Sequence, residues 1–180
     1  MNDKTNAAIE SAKKRAWENY SSGYNCAESV FDAALAVVDT GLPTGLRKLA
    51  TGFGGGIGKF GGTCGALTGA VLAVGAVYGR ERLPEGQDRL ETIAASKHQL
   101  LVDPGLYRIF NQIPNWFRQK HGHTLCRELT APWQSDWHSR ERAMLCRQLI
   151  AETAGFAVEL MLLPESERSR LVFGDTVDPT

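Results

Sequence analysis

Twenty residues, Thr51–Ala70 (TGFGGGIGKFGGTCGALTGA), constrain this chain more than any others. Seven of the twelve residues from Gly52 to Thr63 are glycine. Glycine is costly to order and is retained where backbone takes a positive φ or another group comes close. The segment ends in Cys64 and runs directly into an apolar stretch rich in Ala and Gly. The expectation is a tight loop feeding a buried helix, with Thr63 as its N-cap and the helix running from Cys64 to about Arg80. A thiol at a helix N-terminus lies among unpaired backbone N–H groups, which favour its ionised form. A thiolate is at once a nucleophile, a redox species and a metal ligand.

The remaining periodicities are all helical. Residues 5–20 place Ala8, Ile9, Ala12, Ala16 and Trp17 on one stripe. Asn25 followed by Glu28 is a capping-box pattern that starts a second helix and puts Cys26 in its first turn. Leu46–Ala50 reads as a short helical piece. A polar helix begins near Pro84 and ends near Val102. Leu106–Lys120 resumes helical spacing, which Pro114 would kink or divide. Thr124 reads as an N-cap with Cys126 at the second helical position. A long helix runs from about Trp137 to Leu163, and its apolar face carries Cys146, Leu149, Ile150, Thr153, Ala157, Leu160 and Met161. No strand pattern appears. The fold class expected is all-α: a single-domain helical bundle over residues 1–163, with the glycine-rich loop before a buried central helix and a polar tail at 164–180.

Composition narrows the classes of function. Twenty basic and twenty acidic side chains give no net charge, which argues against nucleic acid as a main partner. Residues 1–20 are polar and lack an apolar signal-peptide core. The longest apolar stretch, Ala66–Tyr78, is too short to cross a bilayer. A soluble, cytoplasmic protein is therefore expected, with no membrane insertion. In that compartment four cysteines are reduced thiols, metal ligands or catalytic pairs rather than structural disulfides. Lone cysteines also serve simply as small buried apolar residues.

Other motifs carry less. Gly56-Ile-Gly58-Lys-Phe-Gly61 matches G-x-G-x-x-G, but a dinucleotide fingerprint needs a preceding strand, and Leu46–Ala50 is not one. A phosphate-binding loop is excluded because Phe60 stands where Ser or Thr must ligate magnesium. An anion could still rest on the loop amides. His121-Gly-His123 ahead of Cys126 has the donor types of a zinc site, but reads better as a polar helix-terminal turn. The tryptophans Trp116, Trp133 and Trp137 lack the basic interleaving of a nucleic-acid platform and read as core or lid. The small-residue helix and aromatic segments suggest a homo-oligomer.

Asn25-Cys26-Ala27, the glycine run Gly52–Gly58, Gly62-Thr-Cys64-Gly65-Ala66-Leu-Thr-Gly69, Cys126 and Cys146 together resemble the small redox-active proteins of the C_GCAxxG_C_C family. All four cysteines fall on the family pattern in order, over about Tyr24–Ala154. The resemblance implies an all-helical fold and a redox or metal role for Cys26, Cys64, Cys126 and Cys146, working as dithiol pairs or as ligands of an iron–sulfur cluster. The family also looks related to split-Soret cytochromes; without Cys-x-x-Cys-His, covalent haem is not expected. The main expectation is a thiol-based redox or electron-transfer protein with an unknown redox partner. Its four thiols would converge on one site, beside the backbone N–H groups of Gly54, Gly55, Gly56, Gly58, Gly62, Thr63 and Gly65. The alternatives are a structural zinc site in a helical interaction module and an anion or small-molecule binder using the glycine loop.

Overall fold

A computed structural model of the chain describes residues 3–177, and of Thr44 only the backbone. Its regular elements are helical: α1 (Asp3–Ser21), α2 (Cys26–Val37), a 3₁₀ segment (Thr44–Phe53), α3 (Gly65–Tyr78), α4 (Arg89–Leu101), α5 (Leu106–His121), the single turn α6 (Cys126–Leu129), a 3₁₀ turn (Ala131–Trp133), α7 (Arg140–Met161) and the short α8 (Glu165–Arg168). The one β-type feature among the described residues is an isolated antiparallel bridge between Thr63 and Leu125. The all-α expectation holds.

The core is a packing of α1, α2, α3 and α7 built largely from small side chains. Ile9, Ala12 and Ala16 of α1 meet α7, while Ala27, Val30, Phe31 and Ala34 of α2 meet α3. Small residues let helix backbones approach closely. A Cβ added at Gly69 of α3 would stand 2.6 Å from the Ala27 carbonyl oxygen of α2. Asp32 ties three elements together: it accepts hydrogen bonds from Arg15 (3.0 Å) and Asn19 (2.7 Å) of α1 and from Arg47 (2.9 Å) of the 3₁₀ segment. Burial pushes the Asp32 pKa up, but the hydrogen bonds from Arg47, Asn19 and Arg15 outweigh it and hold the carboxyl below its ordinary value.

The capping box at Asn25 is present. Its side-chain oxygen accepts from the N–H groups of Ala27 and Glu28, and the Glu28 carboxylate accepts from Asn25 N–H at 2.9 Å. Two other caps differ from expectation. Thr63 is drawn away by its bridge to Leu125, so Cys64 itself is the N-cap of α3. Thr124 uses its carbonyl to accept from Cys64 N–H (2.8 Å), so Leu125 becomes the N-cap of α6 and Cys126 its first residue. The polar helix starts later than expected, at Arg89, where Asp88 caps it. The long helix is also shorter at both ends, capped by Ser139. Pro114 does not divide α5, which runs through it without interruption.

Because a backbone carbonyl cannot move aside as a flexible side chain can, Gly69→Ala is expected to destabilise the protein by about 1–3 kcal/mol through overpacking of α2 on α3. Urea unfolding checks this; an unchanged midpoint would contradict the close approach.

Candidate functional site: a four-cysteine cavity

All four cysteines line one cavity of about 510 Å³. They arrive from four distant segments: Cys26 as the first residue of α2, Cys64 as the N-cap of α3, Cys126 as the first residue of α6, and Cys146 within α7. All four are free thiols; Cys64 and Cys126 are buried, while Cys26 and Cys146 are partly so. Two backbone hydrogen bonds hold α6 to the base of α3. Cys64 N–H donates to Thr124 at 2.8 Å, and Cys126 N–H donates to the Gly62 carbonyl at 2.7 Å. Arg127 reinforces the junction through its own N–H and guanidinium, which donate to the carbonyls of Gly61 and Phe60.

The glycine-rich loop forms one wall. From Gly55 through Lys59 every residue has a positive φ, between 56° and 72°, giving a left-handed turn. For Ile57, a β-branched residue, this conformation is strained. The turn is closed by its own backbone: Gly58 N–H donates to Gly52, Lys59 to Gly54, Gly61 to Gly55 and Gly62 to Gly56. These amides are therefore spent within the loop and do not form an open cradle for an anion. Nor does a strand precede the G-x-G-x-x-G match, since the loop follows a 3₁₀ segment, so the dinucleotide context is absent.

Two glycines are fixed by the cysteines themselves. A Cβ at Gly65 would stand 2.3 Å from Cys26 Sγ, and one at Gly56 would stand 2.9 Å from Cys126 Cβ. Gly54, Gly55 and Gly58 line the cavity directly. Gly62 and Thr63 stand behind it, bonded to Cys126 and bridged to Leu125 respectively.

A family model described as "Putative redox-active protein (C_GCAxxG_C_C)" matches residues 24–160. The chain belongs to this family. No curated protein and no solved structure matches it.

The cavity lining adds residues that the family pattern does not name. Among the described residues its charged side chains are Lys59 and Arg142, and no His, Asp or Glu lines it. Both cations sit on Trp137, with the Arg142 guanidinium 4.3 Å and the Lys59 ammonium 5.8 Å from the ring centre. Arg142 also points at Cys146, its Nη1 3.8 Å from the sulfur. Backbone N–H groups of Gly55, Ala27 and Gly65 lie toward Cys26 and that of Ala66 toward Cys64, each favouring the thiolate, and the Tyr20 hydroxyl meets Cys146. The Thr130 hydroxyl donates to the Cys126 carbonyl at 2.7 Å. Sequence spacing offered no sign of Tyr20. Arg142 reads as one of several surface arginines unless its place one helical turn before Cys146 is noticed.

His121 and His123 lie apart from the cavity. The His121 ring packs edge-on to Trp116 and Phe117, and His123 pairs with Glu128 at 3.2 Å. Among the described residues, no three His, Cys, Asp or Glu side chains are gathered closely enough to hold a metal ion.

The helix-end placement does not ionise the thiols as the sequence suggested. Burial dominates and raises all four pKa values, with Cys146 reaching about 11 despite the nearby Arg142 guanidinium. Burial likewise lifts Tyr20 to about 12, with Cys146 adding to it. In the unfolded chain the thiols lose their protons near pH 9, while in the folded chain they keep them. The unfolded state therefore binds fewer protons above that pH, and stability falls as pH rises. For the reduced protein with no metal bound, the loss is expected from about pH 9, at about 1.4 kcal/mol per pH unit for each thiol held protonated. Denaturant unfolding across pH 7–11 checks this. Cys146→Ser should make the slope shallower up to about pH 11, and equal slopes would contradict the assignment.

Proposed function

We propose that this protein is an electron-transfer protein whose four cysteines act as one centre, as the ligand set of an iron–sulfur cluster. The observation that carries the reading is the cavity itself: four thiols from four chain segments, with no carboxylate or imidazole in its lining among the described residues. That all-sulfur donor set suits soft metal centres. Cys26, Cys64, Cys126 and Cys146 would be the ligands, and the cluster would supply one-electron storage. The donors near Cys26, Cys64 and Cys146, together with burial, are the features that set the potential of such a centre. Lys59 and Arg142 bring positive charge toward a site that four thiolates would make anionic.

Two rival readings have less support. A single zinc ion needs its thiolates drawn tightly around one point, and no such group of three side chains is present among the described residues. Ligand sulfurs on a cluster stand farther apart than those on one ion. Dithiol exchange needs a thiolate at working pH, and burial raises all four thiol pKa values with no bound centre to take the protons' place.

Anaerobic purification followed by iron and acid-labile sulfide analysis tests the proposal. The expected outcome is brown protein with iron and sulfide in nearly equal amounts, and a broad visible absorption that bleaches on reduction. Protein that stays colourless after anaerobic reconstitution with iron and sulfide, or that carries one zinc per chain, would contradict it.

A further inference from the structure

The cysteine cavity holds two positive side chains that no acid of the described residues neutralises. Lys59 and Arg142 both line it, and neither forms an ion pair with an Asp or Glu among those residues. A second cavity shows the contrast: Arg15 and Arg47 line it, and both are paired with Asp32. The chain carries no net charge, so a local surplus of cations is a matter of placement rather than composition. A cleft lined by one sign of charge concentrates ions of the other. Arg142 is half-buried and firmly held. Its Nε donates to the Trp137 carbonyl, its guanidinium lies over the Trp137 ring, and its Nη1 stands 3.8 Å from Cys146 Sγ. Its Nη2 has no acceptor among the described residues. A guanidinium fixed in this way is pre-organised for a carboxylate or an oxyanion. Lys59 is exposed, and its ammonium meets the same ring without a hydrogen-bond acceptor among the described residues. It ends the left-handed turn at a φ of 67°, where glycine would be less costly. Of the two side chains kept in that turn, Ile57 is not part of the cavity lining and Lys59 is.

We propose that Lys59 and Arg142, gathered on Trp137, bind a small molecule through an anionic oxygen group, a carboxylate or an inorganic oxyanion, and hold it beside Cys146. The cavity then takes a small anionic substrate, rather than serving only to pass electrons to another protein. The substrate role rests on the electron-transfer reading above; the anion site itself does not. Recognition is by side chains, since the glycine-loop amides are spent within the loop. The Arg142 fork supplies direction, and the Lys59 ammonium supplies charge from a flexible stem. Leu129, Leu149 and Ile150 give the cavity apolar walls, beside which water screens a charge pair less than in open solvent. Its volume of about 510 Å³ lies within the range of roughly 300–1,000 Å³ usual for small-molecule sites.

Isothermal titration calorimetry on the full chain, purified anaerobically, tests this, with iron measured on the same sample. Acetate and inorganic sulfate are the probes, each titrated at constant ionic strength against chloride. Saturable binding of one anion per chain is expected, with a Kd on the order of 1 mM or below. The tighter of the two probes assigns the site to carboxylates or to oxyanions. Lys59→Gln and Arg142→Gln should each weaken binding by about tenfold, with helicity by circular dichroism unchanged. Lys59→Gln is an exposed change, so it reads the site even where Arg142→Gln disturbs the packing on Trp137. No saturable binding of either probe, or binding that Lys59→Gln leaves unchanged, would overturn the site. The iron assay separates the two claims. Anion binding by protein that stays iron-free after reconstitution would uphold the site and contradict the electron-transfer reading. Iron-loaded protein that binds neither probe would do the reverse.

Discussion

The site depends on two backbone hydrogen bonds that no helix supplies. Cys64 N–H donates to Thr124, and Cys126 N–H donates to Gly62. They join segments sixty residues apart and place two cysteines at the adjoining ends of α3 and α6. Both ends need the bonds anyway, because helix starts leave N–H groups without intrahelical partners. Nearby, the left-handed turn at Gly55–Lys59 folds the glycine loop back so that Gly55 N–H reaches Cys26 and Gly56 fits against Cys126. A side chain at Gly56 or Gly65 would collide with a cysteine. The glycines are thus conditions for the cysteines to meet, rather than a binding loop in their own right.

Burial and charge oppose each other in this cavity. Desolvation raises the thiol pKa values, yet Cys26, Cys64 and Cys146 have donors nearby that would serve a thiolate, and Arg142 and Lys59 lean toward the same space. A neutral set of four thiols has no need of that provision. A centre that takes the protons' place and leaves the sulfurs partly negative would use all of it, and its binding would be coupled to proton release. This balance is the physical ground for reading the family's redox character as residing in one joint centre.

Much of this was legible in the chain. The capping box at Asn25 and Glu28 is a local signal, and it placed Cys26 correctly at the start of α2. The apolar stripes of α1 and α7 identified their buried faces, because a 3.6-residue period survives any tertiary context. Local signals failed where a long-range bond won. Thr63 and Thr124 have the chemistry of N-caps, but the pairing between their two segments took their backbones and moved each cap one residue on. The expectation of ionised thiols failed for a related reason. Helix-end amides are visible in sequence, whereas the depth of burial that overrides them belongs to the assembled core. Tyr20 was invisible as a site residue because only the packing of α1 beside α7 brings it to Cys146.

The central claim is that the four cysteines form one centre rather than two pairs or a set of bystanders. The most direct measurement is a parallel reconstitution of Cys26→Ser, Cys64→Ser, Cys126→Ser and Cys146→Ser, each followed by iron content, visible spectrum and midpoint potential. The account predicts that every one of the four departs from the wild type, in the amount of iron held or in the potential of what remains. A single variant that matched the wild type in all three would remove that cysteine from the centre and contradict the account.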